Sequence, residues 1–299
     1  MLFFYGGVFN LTNILVIGAT GNIGLPLIQA LTKRADVQLF AAVHSPAHAR
    51  ATLRDLPVQL RKFDFLDAAT FDPALAAIDK VFFVRPPQLA KPKTDMYPFL
   101  DALVRHGIKQ VVFVSLLGVE HNPMTPHHKI EKRIEALGLP YTFIRPSFFM
   151  QNLNTTHRHD IVAHHDLFVP AGRARTSFID TRDIGAVAAT VLCDPQYIGQ
   201  KLAITGDQAL TYAEVAKIMT AVLGVQITYS RPSLLRFRHT MIARGLPKNY
   251  VNVMVMLYLI TQMGNAKEVT TTLPKVLGRP AITFSQYVHD YRRDFLPEK

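Results

Sequence analysis

Three glycines, at positions 18, 21 and 24, stand where an apolar run ends and an amphipathic one begins, and they limit this chain more than any other feature. Asn13–Ile17 has the pattern of a buried strand, and Leu25–Lys33 has helical spacing, with Pro26 tolerated in its first turn. A backbone that passes from strand to helix through Gly18-Ala19-Thr20-Gly21-Asn22-Ile23-Gly24 must turn sharply and approach its surroundings without a Cβ in the way. The helix that opens there presents free N–H groups and the positive end of its dipole. A tight strand-to-helix turn with no ligand is the bland alternative. An apolar strand before and an amphipathic helix after are the context in which such glycines cradle the pyrophosphate of a nicotinamide dinucleotide.

The rest of the chain repeats the alternation. Val37–Val43, Leu60–Asp64, Lys80–Val84, Gln110–Ser115 and Tyr141–Arg145 read as strands, with helices over Met96–His106 and His128–Leu137 closed by Gly107 and Gly138. Short apolar runs separated by helices predict an α/β fold: a Rossmann-type, mostly parallel sheet with helices on both faces and a smaller C-terminal lobe. Farther on, Phe178–Ile179 and Lys201–Ile204 are short strands flanking a helix at Ile184–Cys193. Thr211–Leu223 is a helix whose Thr211 and Glu214 have capping-box spacing. Lys248–Gln262 is a long apolar helix, and Ser285–Phe295 closes the chain. The expected organisation is a dinucleotide core over 12–150 and 176–206, with 151–175 and 207–299 forming a lobe over the carboxyl ends of the strands.

Composition narrows the function classes. With 49% hydrophobic and 18% charged residues in 299, a packed core is expected and wholesale disorder is not. The net charge of +11 is spread without a basic run of five or more, so it suits an anionic cofactor, and no nucleic-acid partner is expected. Cys193 is the sole cysteine, which excludes an intramolecular disulfide and a cysteine zinc site. Met1–Leu11 lacks a basic start and a small-residue cleavage site, and Val251–Ile260 falls short of the roughly 20 residues of a spanning helix. The expectation is a cytoplasmic protein with no membrane partner.

A site that prefers NAD places an acid about 20 residues past the glycines, on the ribose 2′-OH. Here His44 and Ser45 follow strand two, and no carboxylate stands there to repel a 2′-phosphate. His44, Ser45 and Arg50 offer donors, so NADP(H) is expected over NAD(H), unless these are ordinary solvated loop residues. Asp64, at the end of strand three, either partners the adenine amino group or caps a helix.

The glycine loop, Val81-Phe82-Phe83-Val84-Arg85-Pro86-Pro87, Phe113-Val114-Ser115-Leu116-Leu117-Gly118, and the run from Gly138 to Asn152 together resemble the NmrA-like family, an atypical branch of the short-chain dehydrogenase/reductase superfamily. The resemblance implies a bilobal fold with the cofactor in a cleft. It also implies either an NAD(P)H-dependent reductase, such as a type 2 quinone oxidoreductase, or a sensor that binds the dinucleotide without turning it over. By the same resemblance, Arg85, Pro86 and Pro87 lie along ribose and phosphates, Ser115 sits near the nicotinamide, and Pro146, Ser147 and Phe148 cover it.

Typical short-chain dehydrogenases use a Tyr-x-x-x-Lys pair, in which lysine lowers the phenol pKa and holds the ribose. Lys129 fits the lysine, but four residues earlier stands Thr125, far too weak an acid for the role. Lys129 is therefore expected to bind ribose. His121, His127 and His128 lie in the same loop, and His128 is the candidate proton donor. No metal is expected, because these histidines have no neighbouring cysteine or spaced carboxylate. Asp180 and Asp183 are expected to serve a helix N-terminus. Hydride transfer to a small quinone-like or carbonyl acceptor is the first reading, with the Met- and Val-rich Lys248–Gln262 helix lining the acceptor pocket or simply packing in the core. A non-catalytic sensor docking a protein partner is the second, and homodimerisation is compatible with either.

Overall fold

Strands that read as unbroken apolar runs, such as Val81–Phe83 and Val111–Val114, imply a parallel sheet covered on both faces, and the computed structural model, which describes residues 11–296, has that architecture. Residues 1–10, on which the expectation about a leader segment falls, lie outside the described residues. The strands are β1 (Thr12–Ile17), β2 (Val37–Val43), β3 (Val58–Lys62), β4 (Lys80–Val84), β5 (Gln110–Val114), β6 (Tyr141–Pro146), β7 (Phe148–Phe149), β8 (Arg175–Ile179), β9 (Lys201–Ile204) and β10 (Ala209–Thr211). The longer helices are α1 (Gly24–Leu31), α2 (Pro46–Leu53), α3 (Phe71–Leu75), α4 (Pro92–Asp95), α5 (Tyr97–Arg105), α6 (Pro126–Ala136), α7 (Arg158–His164), α8 (Thr181–Cys193), α9 (Tyr212–Leu223), α10 (Leu234–Ala243), α11 (Lys248–Gln262), α12 (Thr272–Leu277), α13 (Phe284–Asp290) and α14 (Arg292–Phe295).

Seven strands pair in parallel in the order β3-β2-β1-β4-β5-β6-β9. The order reverses between β1 and β4, so the crevice outside their carboxyl ends lies where the glycine loop leaves β1. One face of the sheet packs Leu27, Ile28 and Leu31 of α1 and Ile184, Val187 and Val191 of α8, with Leu273 of α12 returning to join them. The other face packs Phe71 of α3, Phe99 and Leu103 of α5, and Ile130 and Ile134 of α6. Gln110, buried in β5, donates to Thr142 Oγ1 (3.0 Å) and the Val191 carbonyl (3.0 Å), so a buried amide fastens α8 to the sheet.

The smaller lobe has its own core. Met150, Phe168, Phe178, Met219, Phe237, Met254 and Tyr287 cluster beneath the three-stranded sheet β10-β8-β7. The chain enters this lobe directly from β6, because Ser147 alone separates β6 from β7. The capping box of α9 is formed: Thr211 N–H donates to Glu214 Oε2 (2.7 Å), and Glu214 N–H to Thr211 Oγ1 (3.2 Å). Three expected elements differ: β8, expected with 176–206 in the dinucleotide core, pairs instead in the small sheet, and Phe178 packs in the lobe core. Strand three lies two residues earlier than Leu60–Asp64, and the closing helix breaks at Tyr291 into α13 and α14. No helix among the described residues is long and apolar enough to cross a membrane.

Candidate active site

The glycine loop is tight for reasons that can be named. Gly18 has φ +81°, a left-handed backbone open to glycine at little cost. Gly21 N–H donates to the Gly18 carbonyl (3.0 Å). A Cβ on Gly24 would stand 2.2 Å from the Gly18 oxygen and 2.9 Å from Ala19 Cα. On its far side α1 meets α8 just as closely, since a Cβ on Gly185 would lie 2.8 Å from Leu27 N and 2.9 Å from Pro26 Cβ. The N-cap of α1, Ile23, supplies no side-chain acceptor, and the first turn holds no acidic residue. Leu25 N–H donates to the Gly21 carbonyl (3.1 Å) and Pro26 has no N–H, so of the first turn Gly24 N–H is the group left to an anion that enters the loop.

At the next strand end, Ser45 is the N-cap of α2, and its hydroxyl meets His48 Nδ1 at 2.9 Å. His44 is exposed, with Nε2 3.3 Å from Asp64 Oδ2. Asp64 Oδ1 accepts from Leu66 N–H (2.9 Å). The carboxylate missing after strand two therefore arrives from the end of β3.

Beyond β4, Arg85 does not reach outward. Its Nη1 donates to the carbonyls of Pro86 (2.8 Å), Pro87 (3.1 Å) and Leu89 (2.9 Å), and its Nε points at His127 Nε2 (3.4 Å). Three carbonyls converge on Nη1, so the guanidinium holds its own loop together. Burial lowers its pKa to about 10. His127 lies against the Phe113 ring (centroids 5.9 Å apart), with Nδ1 buried and unpartnered. Burial first, then the Arg85 charge, push its pKa down to about 3, so the ring stays neutral.

The loop into α6 settles what Thr125 does. Thr125 is the N-cap: Oγ1 accepts from His128 N–H (3.3 Å) and donates to the Asn122 carbonyl (2.8 Å). His128 Nδ1 donates to the Val119 carbonyl (3.1 Å), which fixes the ring and leaves Nε2 as its other polar atom. His121 is exposed beside Glu120. Lys129 sits one turn into α6, its carbonyl accepting from Tyr97 Oη (3.2 Å), and its Nζ has no partner among the described residues.

Two hydroxyls stand out at the ends of the adjacent strands β5 and β6. Ser115 is 1% exposed and Ser147 7%, and neither Oγ has a hydrogen-bond partner among the described residues. Their backbones are fixed by the sheet, Ser115 N–H to the Ile144 carbonyl (2.7 Å) and Ser147 N–H to the Ile204 carbonyl (3.1 Å). Buried hydroxyls without partners are costly unless something completes them. Phe148 follows in β7, its ring 6.2 Å from that of Tyr258.

Positioning residues that the sequence did not advertise complete the site. Arg145 donates to Glu131 (3.0 and 2.6 Å) and Glu120 (2.9 Å), tying β6 to α6 and to the loop before it. A charged residue inside an apolar strand and a glutamate on the buried face of α6 were the available signals. Buried His157 meets Tyr258 Oη at 2.7 Å beneath Phe148. Asp180 caps α8 and is held by Arg182, as expected of a helix N-terminus. Helix α11 buries Val251, Met254 and Tyr258 in the lobe core and leaves Val253, Met256, Leu259 and Met263 exposed. His159, Asp160 and His164 of α7 are near enough to share a metal, but both Asp160 oxygens accept from Arg244 (2.7 and 2.8 Å). Cavities of about 570 and 410 Å³ lie elsewhere, at the amino ends of β2 and β3 and over α9.

A model of the NmrA-like family matches residues 11–279. The chain is 33% identical over 289 residues to the NAD(P)H azoreductase of Xenophilus azovorans, across 94% of this chain and 99% of that protein. The NADPH-dependent quinone oxidoreductase of Escherichia coli, solved with NADPH, superposes with a TM-score of 0.83 at 25% identity, covering 93% of this chain and 99% of the other. The negative transcriptional regulator NmrA, solved with NADP, shares the fold, with a TM-score of 0.75 at 17% identity over 95% of this chain and 96% of that one.

Proposed function

Since the chain belongs to the NmrA-like family, we propose that it is an NAD(P)H-dependent reductase acting on a small quinone-like or carbonyl acceptor. The observation that carries the reading is the pair of buried hydroxyls of Ser115 and Ser147, without partners among the described residues, at the carboxyl ends of β5 and β6, which follow β4 on the other side of the switch point from the glycine loop. Bound NAD(P)H would supply the hydride. The loop from Gly18 to Gly24 would hold the pyrophosphate, and the Lys129 ammonium, without a partner among the described residues, the nicotinamide ribose. Ser115 and Ser147 would complete their hydrogen bonds on the nicotinamide side, under the cover of Pro146 and Phe148. Pro86 and Pro87 would line the cofactor's ribose and phosphates, with Arg85 holding their carbonyls in place. His44 would favour NADP(H) over NAD(H), while the Ser45 hydroxyl is engaged by His48 (2.9 Å).

Thr125 is engaged as a helix cap, so proton delivery does not run through it. A quinone-like acceptor suits such a site, because its reduced oxygen can take its proton from water. The azoreductase and quinone oxidoreductase likenesses support the enzyme reading over a sensor. Steady-state oxidation of NADPH across quinones, azo dyes and carbonyls tests it. Turnover with at least one class is expected, falling in Ser115→Ala and Ser147→Ala, and inert cofactor with every acceptor would favour the sensor.

A further inference from the structure

Between Glu214 and Glu268 the sequence has seven basic residues and no acidic one, so under a fifth of the chain carries more than half of its net charge. No basic run marks the stretch, because the bias comes from missing acids. Much of it folds as the hairpin of α10 and α11, which pack together and turn Phe237, Met241, Val251, Met254 and Tyr258 into the lobe core. The outer face is apolar where a surface helix is ordinarily polar. Leu235 of α10 is 80% exposed, and Met263, at the end of α11, 71%. Met256, Leu259 and Met263 stand at i, i+3 and i+7, one stripe opposite the buried one. Cations flank it. Arg236 lies over the Phe168 ring (5.7 Å), Arg238 donates to Asn252 Oδ1 (2.9 Å), and Lys248 opens α11, exposed. None of these three has a carboxylate partner among the described residues, while Arg244 at the turn neutralises Asp160 (2.7 and 2.8 Å).

We propose that the outer face of the α10–α11 hairpin docks on an anionic lipid surface. Leu235, Met256, Leu259 and Met263 enter the acyl boundary, and Arg236, Arg238 and Lys248 meet the headgroup phosphates. A lipid interface offers both things this face lacks, a negative plane and an apolar layer beneath it. A nucleic acid offers the charge without the apolar layer. A second copy of the chain would cover the stripe but set cation against cation. The lack of a spanning helix, on which the expectation of no membrane partner rests, does not bear on helices that lie in the interface plane. The proposal does not depend on the reductase reading, since it concerns where the lobe rests and leaves the cleft as described.

The test is flotation of the full chain with vesicles of phosphatidylcholine alone and of phosphatidylcholine mixed with phosphatidylglycerol. Binding to the mixed vesicles is expected, with little to the neutral ones, and it should fall steeply as salt screens the headgroup charge. Leu235→Ser combined with Met263→Ser should weaken it about tenfold or more, through lost apolar burial. Arg236→Gln and Lys248→Gln should each weaken it about fivefold, the worth of one cation at such a surface. All four side chains are exposed, so the variants keep the fold, which an unchanged urea midpoint verifies. Lys33→Gln removes an equal charge from an exposed site after α1, on the amino-end side of the core, and should change binding by less than about twofold. No binding to the mixed vesicles at low salt, or equal binding to the neutral ones, would overturn the proposal. Equal effects of Lys33→Gln and Lys248→Gln would overturn it as well, because net charge alone would then be read. A dimer in sedimentation velocity that the Leu235→Ser, Met263→Ser pair dissociates would assign the face to a second copy, against the proposal.

Discussion

Replacing Gly24 with alanine asks for space that the structure does not have. The added Cβ would stand 2.2 Å from the Gly18 oxygen, 2.8 Å from the Gly18 carbonyl carbon and 2.9 Å from Ala19 Cα. All three are backbone atoms, and the nearest must retreat by more than 1 Å to reach an ordinary contact of about 3.5 Å. Helix α1 cannot back away, because Gly185 of α8 already touches Leu27 and Pro26 on its other side. Relief must come from the loop itself, through movement of the N–H groups meant for the pyrophosphate. Overpacking with so little room to relax should cost about 2–3 kcal/mol, roughly 3–5 °C in Tm for a chain of this size. Dinucleotide affinity of the remaining folded protein should fall at least about tenfold, the worth of one displaced hydrogen bond. Gly21→Ala meets only the Gly18 oxygen, at 3.2 Å, and should cost less than about 1 kcal/mol. Urea denaturation and calorimetric NADPH binding read both quantities. A Gly24→Ala protein with wild-type stability and affinity would refute the steric argument, and so would Gly21→Ala proving the worse of the two.

Other expectations concern single groups. Thr125→Ala should lower stability by about 1 kcal/mol through loss of the α6 cap and leave turnover per folded molecule nearly unchanged; a large fall in turnover at unchanged stability would restore a hydroxyl relay. Lys129→Ala should weaken NADPH binding by about 1–3 kcal/mol without altering the urea midpoint, and unchanged affinity would remove it from the site. His157 and His127 are held neutral, their pKa values pushed by burial to about 4 and about 3. The unfolded chain takes up those protons near the ordinary 6.5, so stability should be full above about pH 7 and decline toward pH 4, at about 2–3 kcal/mol per pH unit where steepest. Urea midpoints between pH 7.5 and pH 4.5 check this, with a shallower slope expected for His157→Gln and a flat wild-type profile contradicting it.

The parts of the fold legible in the sequence were those with strong local signals. Val37–Val43, Lys80–Val84, Lys201–Ile204 and Lys248–Gln262 stand where apolar pattern and flanking breakers place them. The apolar pattern places β3 two residues late because it lies at the sheet edge, with Gln59 and Lys62 exposed and Val58, Leu60 and Arg61 only partly buried, while the buried Phe63 and Phe65 follow it. Helices α2, α7 and α10 went unseen. Pro46–Leu53 and Arg158–His164 carry few apolar residues, and only Phe237 and Met241 of α10 are buried.

In the site, the glycine loop was legible because its residue types answer a backbone need. The inward turn of Arg85 was not, since the Pro86, Pro87 and Leu89 carbonyls that capture it exist in any sequence. Nor was the acid beside His44, which depends on the register between two strands. The lone hydroxyls of Ser115 and Ser147 became informative only once their burial and lack of partners were known.

The most direct test of the enzyme reading is a single turnover. Protein loaded with one equivalent of NADPH is mixed with excess small quinone, and the fluorescence of the reduced nicotinamide is followed. Complete, protein-dependent loss of one equivalent is expected, and slower loss with Gly24→Ala. Tight binding of NADPH that then stays reduced in the presence of excess quinone, azo dye and carbonyl acceptors would contradict the reductase and leave a dinucleotide sensor.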